Sequence, residues 1–265
     1  MKYKIGTSGY SYKDWEGVFY PPGLPAGKKL DYYAQQFDTV EINSTYYAIP
    51  NHSVFYHLSR KTPDAFEFIV KTHQETTHKR RDNAGAMKAL LEAIQPLIEA
   101  GKFSGFLAQF PYSFKNTPEN REYLVQTKAL CAEYPLFVEF RNWTWNRPEL
   151  FEFLKENQIG YVNVDEPPLK GLLPRQAIAT TDIAYVRFHG RNSQNWWEGT
   201  NETRYDYLYS QHELEEWLYP LTDLIRRTVK TFIFFNNHPK GKAIRNAWML
   251  KELLKRQLAF LTDKK

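Results

Sequence analysis

The chain has 265 residues, a net charge of +5, 42% hydrophobic and 25% charged residues, and one cysteine. That composition supplies a large core and excludes general disorder, a disulfide scaffold and any Cys-x-x-Cys zinc or redox motif. The N-terminus, MKYKIGTSGYSYKDW, has no apolar run of signal-peptide length, and no stretch approaches the ~18 apolar residues of a membrane helix, so a reducing cytoplasm and no membrane partner are expected.

In chain order, a short apolar run, a polar loop and an amphipathic helical stretch recur. The runs are 4–8, 39–43, 66–71, 105–110, 136–140, 160–164, 184–188 and 230–235. Between them, helical patterns fall near 28–36, 52–60 and 119–133. A 3.6-residue stripe runs from Met87 through Leu90, Leu91 and Ile94 to Ile98 and stops at Gly101. Pro148 opens another helix ahead of Leu150, Phe151 and Leu154, and further stripes run from Leu214 to Ile225 and from Leu250 to Leu261. Segment 166–183, with EPPLKGLLPR, offers no helix. Eight units of about 33 residues match a βα module, and eight in one chain predict a closed TIM-type (β/α)8 barrel forming a single domain over 1–265. A doubly wound open sheet is the alternative. It would carry a glycine-rich phosphate loop after the first strand, and GTSGY is not GxGxxG.

In a barrel the chemistry sits at the carboxyl ends of the strands, and alternate side chains point inward. The alternation sends Glu41, Asn43 and Thr45 inward on the second strand, Lys71 and His73 on the third, and Gln109 on the fourth. It sends Glu139 and Arg141 inward on the fifth, Asn163 and Asp165 on the sixth, and Arg187, His189 and Arg191 on the seventh. The eighth strand ends in Asn236, Asn237 and His238, and the first in Thr7, Ser8, Gly9 and Tyr10, with parity open at both. Lys71, Arg141, Arg187 and Arg191 outnumber Glu41, Glu139 and Asp165 by one. Such a rim suits an anionic small molecule, with arginine forks as clamps. The bland reading is a closed set of ion pairs, Arg187 with Glu139 and Arg141 with Asp165.

Ser8 does not sit in a GxSxG elbow, and its glycines suit a tight turn. The common glycosidase layout is absent, since the fourth and seventh strand ends carry Gln109 and Arg187; Glu41 with Glu139 is the pairing that remains. Glu41, His73, Glu139, Asp165, His189 and His238 are metal-ligand types, but no HxH or HxxxH pair occurs at a strand end and the arginines oppose a dication, so no cofactor is expected and a divalent metal is disfavoured. The run His78, Lys79, Arg80 and Arg81 reads as a solvated face, or as a phosphate or nucleic-acid contact. Aromatics in the loops, such as Trp15, Tyr46, Tyr112, Trp196 and Tyr205, either stack on a ligand or cap the barrel.

These pieces resemble the YecE-like proteins, the domain of unknown function 72, over nearly the whole chain. The segments that carry the resemblance are GTSGYSYKDWEGVFYP (6–21), VEINSTYY (40–47), VKTH (70–73) with Arg80 or Arg81, QFPYSF (109–114), EFRNWTW (139–145), YVRFHGR (185–191), YDYLYS (205–210) and FFNNH (234–238), followed by Ala243 and Asn246. The resemblance implies a TIM-type barrel in a bacterial or archaeal cytoplasm and supplies no reaction. More remotely the chain is similar to sugar-isomerase and endonuclease-type barrels, without their dense His/Glu/Asp metal pattern. The residues suggest an enzyme, with hydrolysis ahead of isomerisation, acting on an anionic, phosphate-bearing or sugar-like substrate. Glu139, His189, His73 and Asp165 would supply acid–base chemistry, and Glu41, Asn43, Lys71, Gln109, Arg141, Asn163, Arg187, Arg191 and Asn237 would bind. The alternatives are a nucleic-acid-binding protein or metal-dependent endonuclease, and a non-catalytic binding barrel.

Overall fold

The computed structural model describes residues 2–262. Eight parallel strands pair in the order β1-β8-β7-β6-β5-β4-β3-β2. They are β1 (Tyr3–Thr7), β2 (Thr39–Ile42), β3 (Glu67–Lys71), β4 (Phe103–Gln109), β5 (Leu136–Glu139), β6 (Ile159–Asp165), β7 (Ile183–Phe188) and β8 (Lys230–Phe235). The ring closes between its two ends: Ser8 bridges Glu41, and the Gly9 N–H donates to the Glu41 carbonyl at 2.8 Å. This is the expected TIM-type barrel, with helices on the outside.

The helices follow their sequence signals. Thr117 caps Pro118–Ala129 by accepting from the Asn120 N–H, with Pro118 at the first position where its missing N–H costs nothing. Ser210 and Glu213 form a reciprocal capping box at Gln211–Glu215. The stripe from Met87 divides into Asn83–Ala93 and Gln95–Glu99, and Lys242–Thr262 closes the chain. Residues 166–182 form no helix or strand, as their prolines dictate.

Inside the barrel, Phe137, Tyr185, Phe232 and Phe234 fill the middle with rings 5.0 to 6.3 Å apart. The bulk of Phe137 is accommodated by Gly160, where a Cβ would lie 2.5 Å from the Phe137 ring. The Tyr185 hydroxyl reaches upward and donates to Glu41 Oε2 at 2.5 Å. That bond marks where the apolar filling ends and an ionic layer begins.

Candidate functional site

Above the aromatic layer lies a buried ion cluster. Arg187, 2% exposed, donates through Nη2 to Glu41 Oε1 at 2.6 Å and through Nη1 to Glu139 Oε2 at 2.5 Å. Both carboxylates are fully buried. Glu139 also meets Arg141 Nη2 at 2.7 Å, and His189 Nε2 lies 3.2 Å from its Oε2. Burial pushes the Glu139 carboxyl upward, but Arg141, Arg187 and His189 together outweigh it and hold the group well below the usual carboxylate range. Burial holds His189 down to about 3, so its imidazole is neutral. Asn236 Nδ2 sits 3.1 Å from His189 Nδ1; an amide donor there leaves the ring proton on Nε2, facing Glu139.

Arg141 extends the cluster to Glu166, its Nη1 lying 3.3 Å from Oε2. Glu166 Oε1 accepts from the Leu173 N–H at 3.1 Å, which ties the irregular segment to the barrel mouth. Burial raises the Glu166 carboxyl to about 8 against the pull of Arg141, so the group keeps its proton through neutral pH.

Over this layer opens a cleft of about 1020 Å³, at the upper end of ordinary ligand sites. Its floor carries Lys71, Arg141 and Arg187 with Asn43, Gln109 and Asn236. Lys71 Nζ donates to Gln109 Oε1 at 3.0 Å and stands 4.7 Å above the Tyr46 ring. Asn43 donates to Glu41 Oε1 at 3.0 Å, which fixes its amide and leaves its Oδ1 buried with no partner. The walls are aromatic. Tyr12 stacks on His238 at 4.4 Å, Trp196 lies 5.5 Å from the Arg141 guanidinium, and Tyr112 meets Trp197 edge-on at 5.1 Å. Tyr10, Tyr46, Tyr47 and Tyr205 line it as well.

Five of the expected site residues therefore line the cleft: Asn43, Lys71, Gln109, Arg141 and Arg187. Glu41, Glu139 and His189 sit one layer beneath it. The others lie elsewhere. The inward parity expected for β6 is reversed: Tyr161 meets the helix residue Phe151, and Asn163 donates to the Ile178 carbonyl at 2.8 Å, holding the irregular segment. Asp165 is likewise turned outward. It accepts from Arg191 at 2.8 and 2.9 Å, from the Tyr209 hydroxyl at 2.7 Å and from Trp217 Nε1 at 2.8 Å. Arg141 accordingly pairs with Glu139 and Glu166, not with Asp165. Arg191 leaves the mouth because Gly190, at φ +95°, breaks the strand alternation, and its guanidinium goes to Asp165, Glu213 and Glu216. Asn237 faces outward and donates to Asn246 Oδ1 at 2.8 Å and the Tyr207 carbonyl at 2.9 Å, so Asn236 and His238 are the β8 residues at the cleft. His73 accepts from the Glu75 N–H at 3.3 Å beside a single π-turn, Glu75–Lys79.

Glu166 is the functional candidate that sequence reasoning missed. Its signal was available only through parity: with Asp165 outward, the next residue had to face in.

Both members of the glycosidase pairing, Glu41 and Glu139, are turned toward Arg187. Ser8 lies 3.3 Å from Arg187 Nη2 inside the closing turn. Lys79 pairs with Glu75, and Arg80 lies over the Phe114 ring at 5.1 Å and bonds Asn120, so the basic run does not present a continuous charged face. Trp15 and Trp145 are fully buried and cap the barrel. Among the described residues, no three His, Cys, Asp or Glu side chains gather as a metal site, and no helix is long and apolar enough to cross a membrane.

Comparison with known proteins returned matches of nearly full length. Residues 4–265 match the family model described as "Protein of unknown function DUF72". The UPF0759 protein YunF of Bacillus subtilis is 34% identical, covering 94% of each chain. The crystal structure of a DUF72 family protein from Thermotoga maritima is 43% identical, covers 96% of this chain and 100% of that one, and superposes with a TM-score of 0.89. One from Enterococcus faecalis is 27% identical, covers 96% and 95%, and gives a TM-score of 0.86.

Proposed function

This chain belongs to the DUF72 family, and on that premise we propose that it is an enzyme holding an anionic, phosphate-bearing or sugar-like substrate in the barrel mouth. One observation carries the reading: on the floor, the cations face the cleft and the carboxylates lie behind them. Lys71, Arg141 and Arg187 line the cleft, while Glu41, Glu139 and Glu166 do not. The formal charges of these six cancel, but a protonated Glu166 leaves one positive charge in surplus at neutral pH. In a partly dewatered mouth such a surplus attracts an anion more strongly than it would at an open surface.

Glu139 serves in this reading as the holder of Arg141 and Arg187 and not as a proton carrier, since two guanidiniums stabilise its charged form. Lys71, brought by burial and by Arg187 to about 8, is the group at the cleft poised to give or take a proton near neutrality. Asn43 Oδ1 offers an acceptor for a substrate hydroxyl, and the Tyr and Trp walls suit the apolar face of a sugar or base.

The test is calorimetric titration with inorganic phosphate and a panel of sugar phosphates and sugar acids. The expected result is binding that weakens with salt and falls at least about tenfold in Arg141→Leu, the loss of one charge-assisted contact. No binding by any anion at millimolar concentration overturns the reading.

A further inference from the structure

We propose that Lys71 is an imine-forming lysine: its Nζ condenses with the carbonyl carbon of an anionic aldehyde or ketone whose charged group is held by Arg141 and Arg187. The inference deepens the reading above and rests on it, since the two arginines must first hold the anion.

The geometry separates Lys71 from the other cations of the mouth. Arg141 and Arg187 are each fixed by carboxylates at 2.5 to 3.3 Å. Among the described residues, Lys71 forms no ion pair with any carboxylate; its hydrogen bond goes to the neutral amide of Gln109 at 3.0 Å. Lys71 is half-buried and lines the cleft floor, its ammonium over the Tyr46 ring. A cation in that position is held by a ring face and an amide, neither of which forbids the neutral amine. Around it stand Arg187 and Arg141, which disfavour its charge, and Glu139 and Glu41, which favour it. His78 from the π-turn is held down to about 4 and is neutral there. Burial and the Arg187 charge prevail, and the amine titrates near 8, not 10.5. At pH 7 this gives roughly a three-hundredfold larger share of free amine than an ordinary lysine has. A desolvated lysine beside other cations is the recognised way a protein makes this side chain nucleophilic.

The step balances without a co-reactant. The free amine forms a C–N bond to the carbonyl carbon, giving a carbinolamine. The carbinolamine C–O bond then breaks, and the oxygen leaves as water. Summed, one ammonium and one carbonyl compound give one protonated imine and one water. The anionic group explains why the arginines lie beside the lysine: they fix the carbonyl in reach.

The experiment uses pyridoxal phosphate, an aldehyde carrying a phosphate, on the full chain, with borohydride reduction and peptide mass spectrometry. The expected result is a reduced adduct on Lys71, formed faster than on surface lysines. It should be slowed by competing inorganic phosphate, absent in Lys71→Arg, and faster as pH rises toward 8. Plain pyridoxal, which lacks the anion, should label Lys71 more slowly. Lys71 left unmodified, or labelled no faster than surface lysines, by a protein that still binds phosphate calorimetrically overturns the imine and leaves the anion site standing. Absence of both labelling and phosphate binding overturns the two together.

Discussion

The two ends of the barrel both carry buried charge, and they use it in opposite ways. At the amino-terminal end, Glu67 accepts from Lys230 at 2.7 and 2.8 Å and from the Ser104 hydroxyl at 2.5 Å, and lies 3.0 Å from Lys4 Nζ. Lys4 reaches the Ala65 carbonyl as well. Both lysines there reach the one carboxylate of Glu67, and the cluster plugs the barrel. At the carboxyl end the pairing is incomplete. Lys71 has an amide in place of a carboxylate, and Asn43 Oδ1, Arg187 Nε and His238 Nδ1 are buried without partners. A plug satisfies itself, whereas a site leaves bonding capacity for something else. The polar network is costly at either end, and only the upper one leaves that cost unrecovered in the ligand-free chain.

The comparison breaks most directly at Arg187. Arg187→Ala leaves Glu41 and Glu139 facing each other without their shared cation, and should cost about 3–5 kcal/mol in thermal or denaturant unfolding. A loss below about 1 kcal/mol would show that the upper cluster does not depend on its pairing. At the lower end, Glu67→Ala should cost about 2 kcal/mol and leave phosphate affinity unchanged, because the plug is remote from the cleft. The Glu67 carboxyl is pushed up by burial but held below its ordinary value by Lys230, Ser104 and Lys4. Its contribution is therefore present above the unfolded value of 4.5 and fades as pH falls below it, and an acid titration of unfolding free energy should show that slope in wild type and lose it in the variant.

Lys71→Met inverts the pattern. With no carboxylate to orphan, stability should change by less than about 1 kcal/mol, while phosphate affinity falls about tenfold. In wild type the affinity should weaken as pH rises through about 8, where Lys71 loses its charge and Glu166 gains one. Calorimetry from pH 6.5 to 9, flanking that value, checks both. A flat profile would mean that neither group faces the bound anion.

Glu166→Gln should change stability least at pH 5 and act chiefly on its pH dependence. Between the unfolded value of 4.5 and the folded value near 8, the folded chain keeps a proton that the unfolded chain releases. Wild-type stability should therefore decline as pH rises through that window, by no more than about 1.4 kcal/mol per pH unit. The glutamine variant, which can still accept from the Leu173 N–H, should flatten the decline in urea melts at pH 5, 7 and 9.

The readable part of the site lies where a strand is apolar on one side only. On β5 and β7 the outward residues Val138, Phe140, Val186 and Phe188 are matched by inward polar groups, so Glu139, Arg141, Arg187 and His189 were placed by alternation alone. On β6, Tyr161, Val162 and Val164 make both faces apolar, as buried parallel strands are, and the alternation gives no direction. That is why Asn163 and Asp165 turned out to serve the outer shell and Glu166 the mouth. Arg191 was unreadable for a different cause: alternation holds only while the backbone stays extended, and Gly190 ends it.

The sequence by itself determined the eight-strand barrel, its polar end, and the presence of lysine and arginine there, because hydrophobic periodicity is a property of neighbours along the chain. Only the tertiary structure decided which carboxylate answers which cation and which cation is left without one. Ion pairs join residues far apart in the chain, 146 positions for Arg187 and Glu41 and 163 for Lys230 and Glu67, and their partners are chosen by the angle at which separate strands enter the ring.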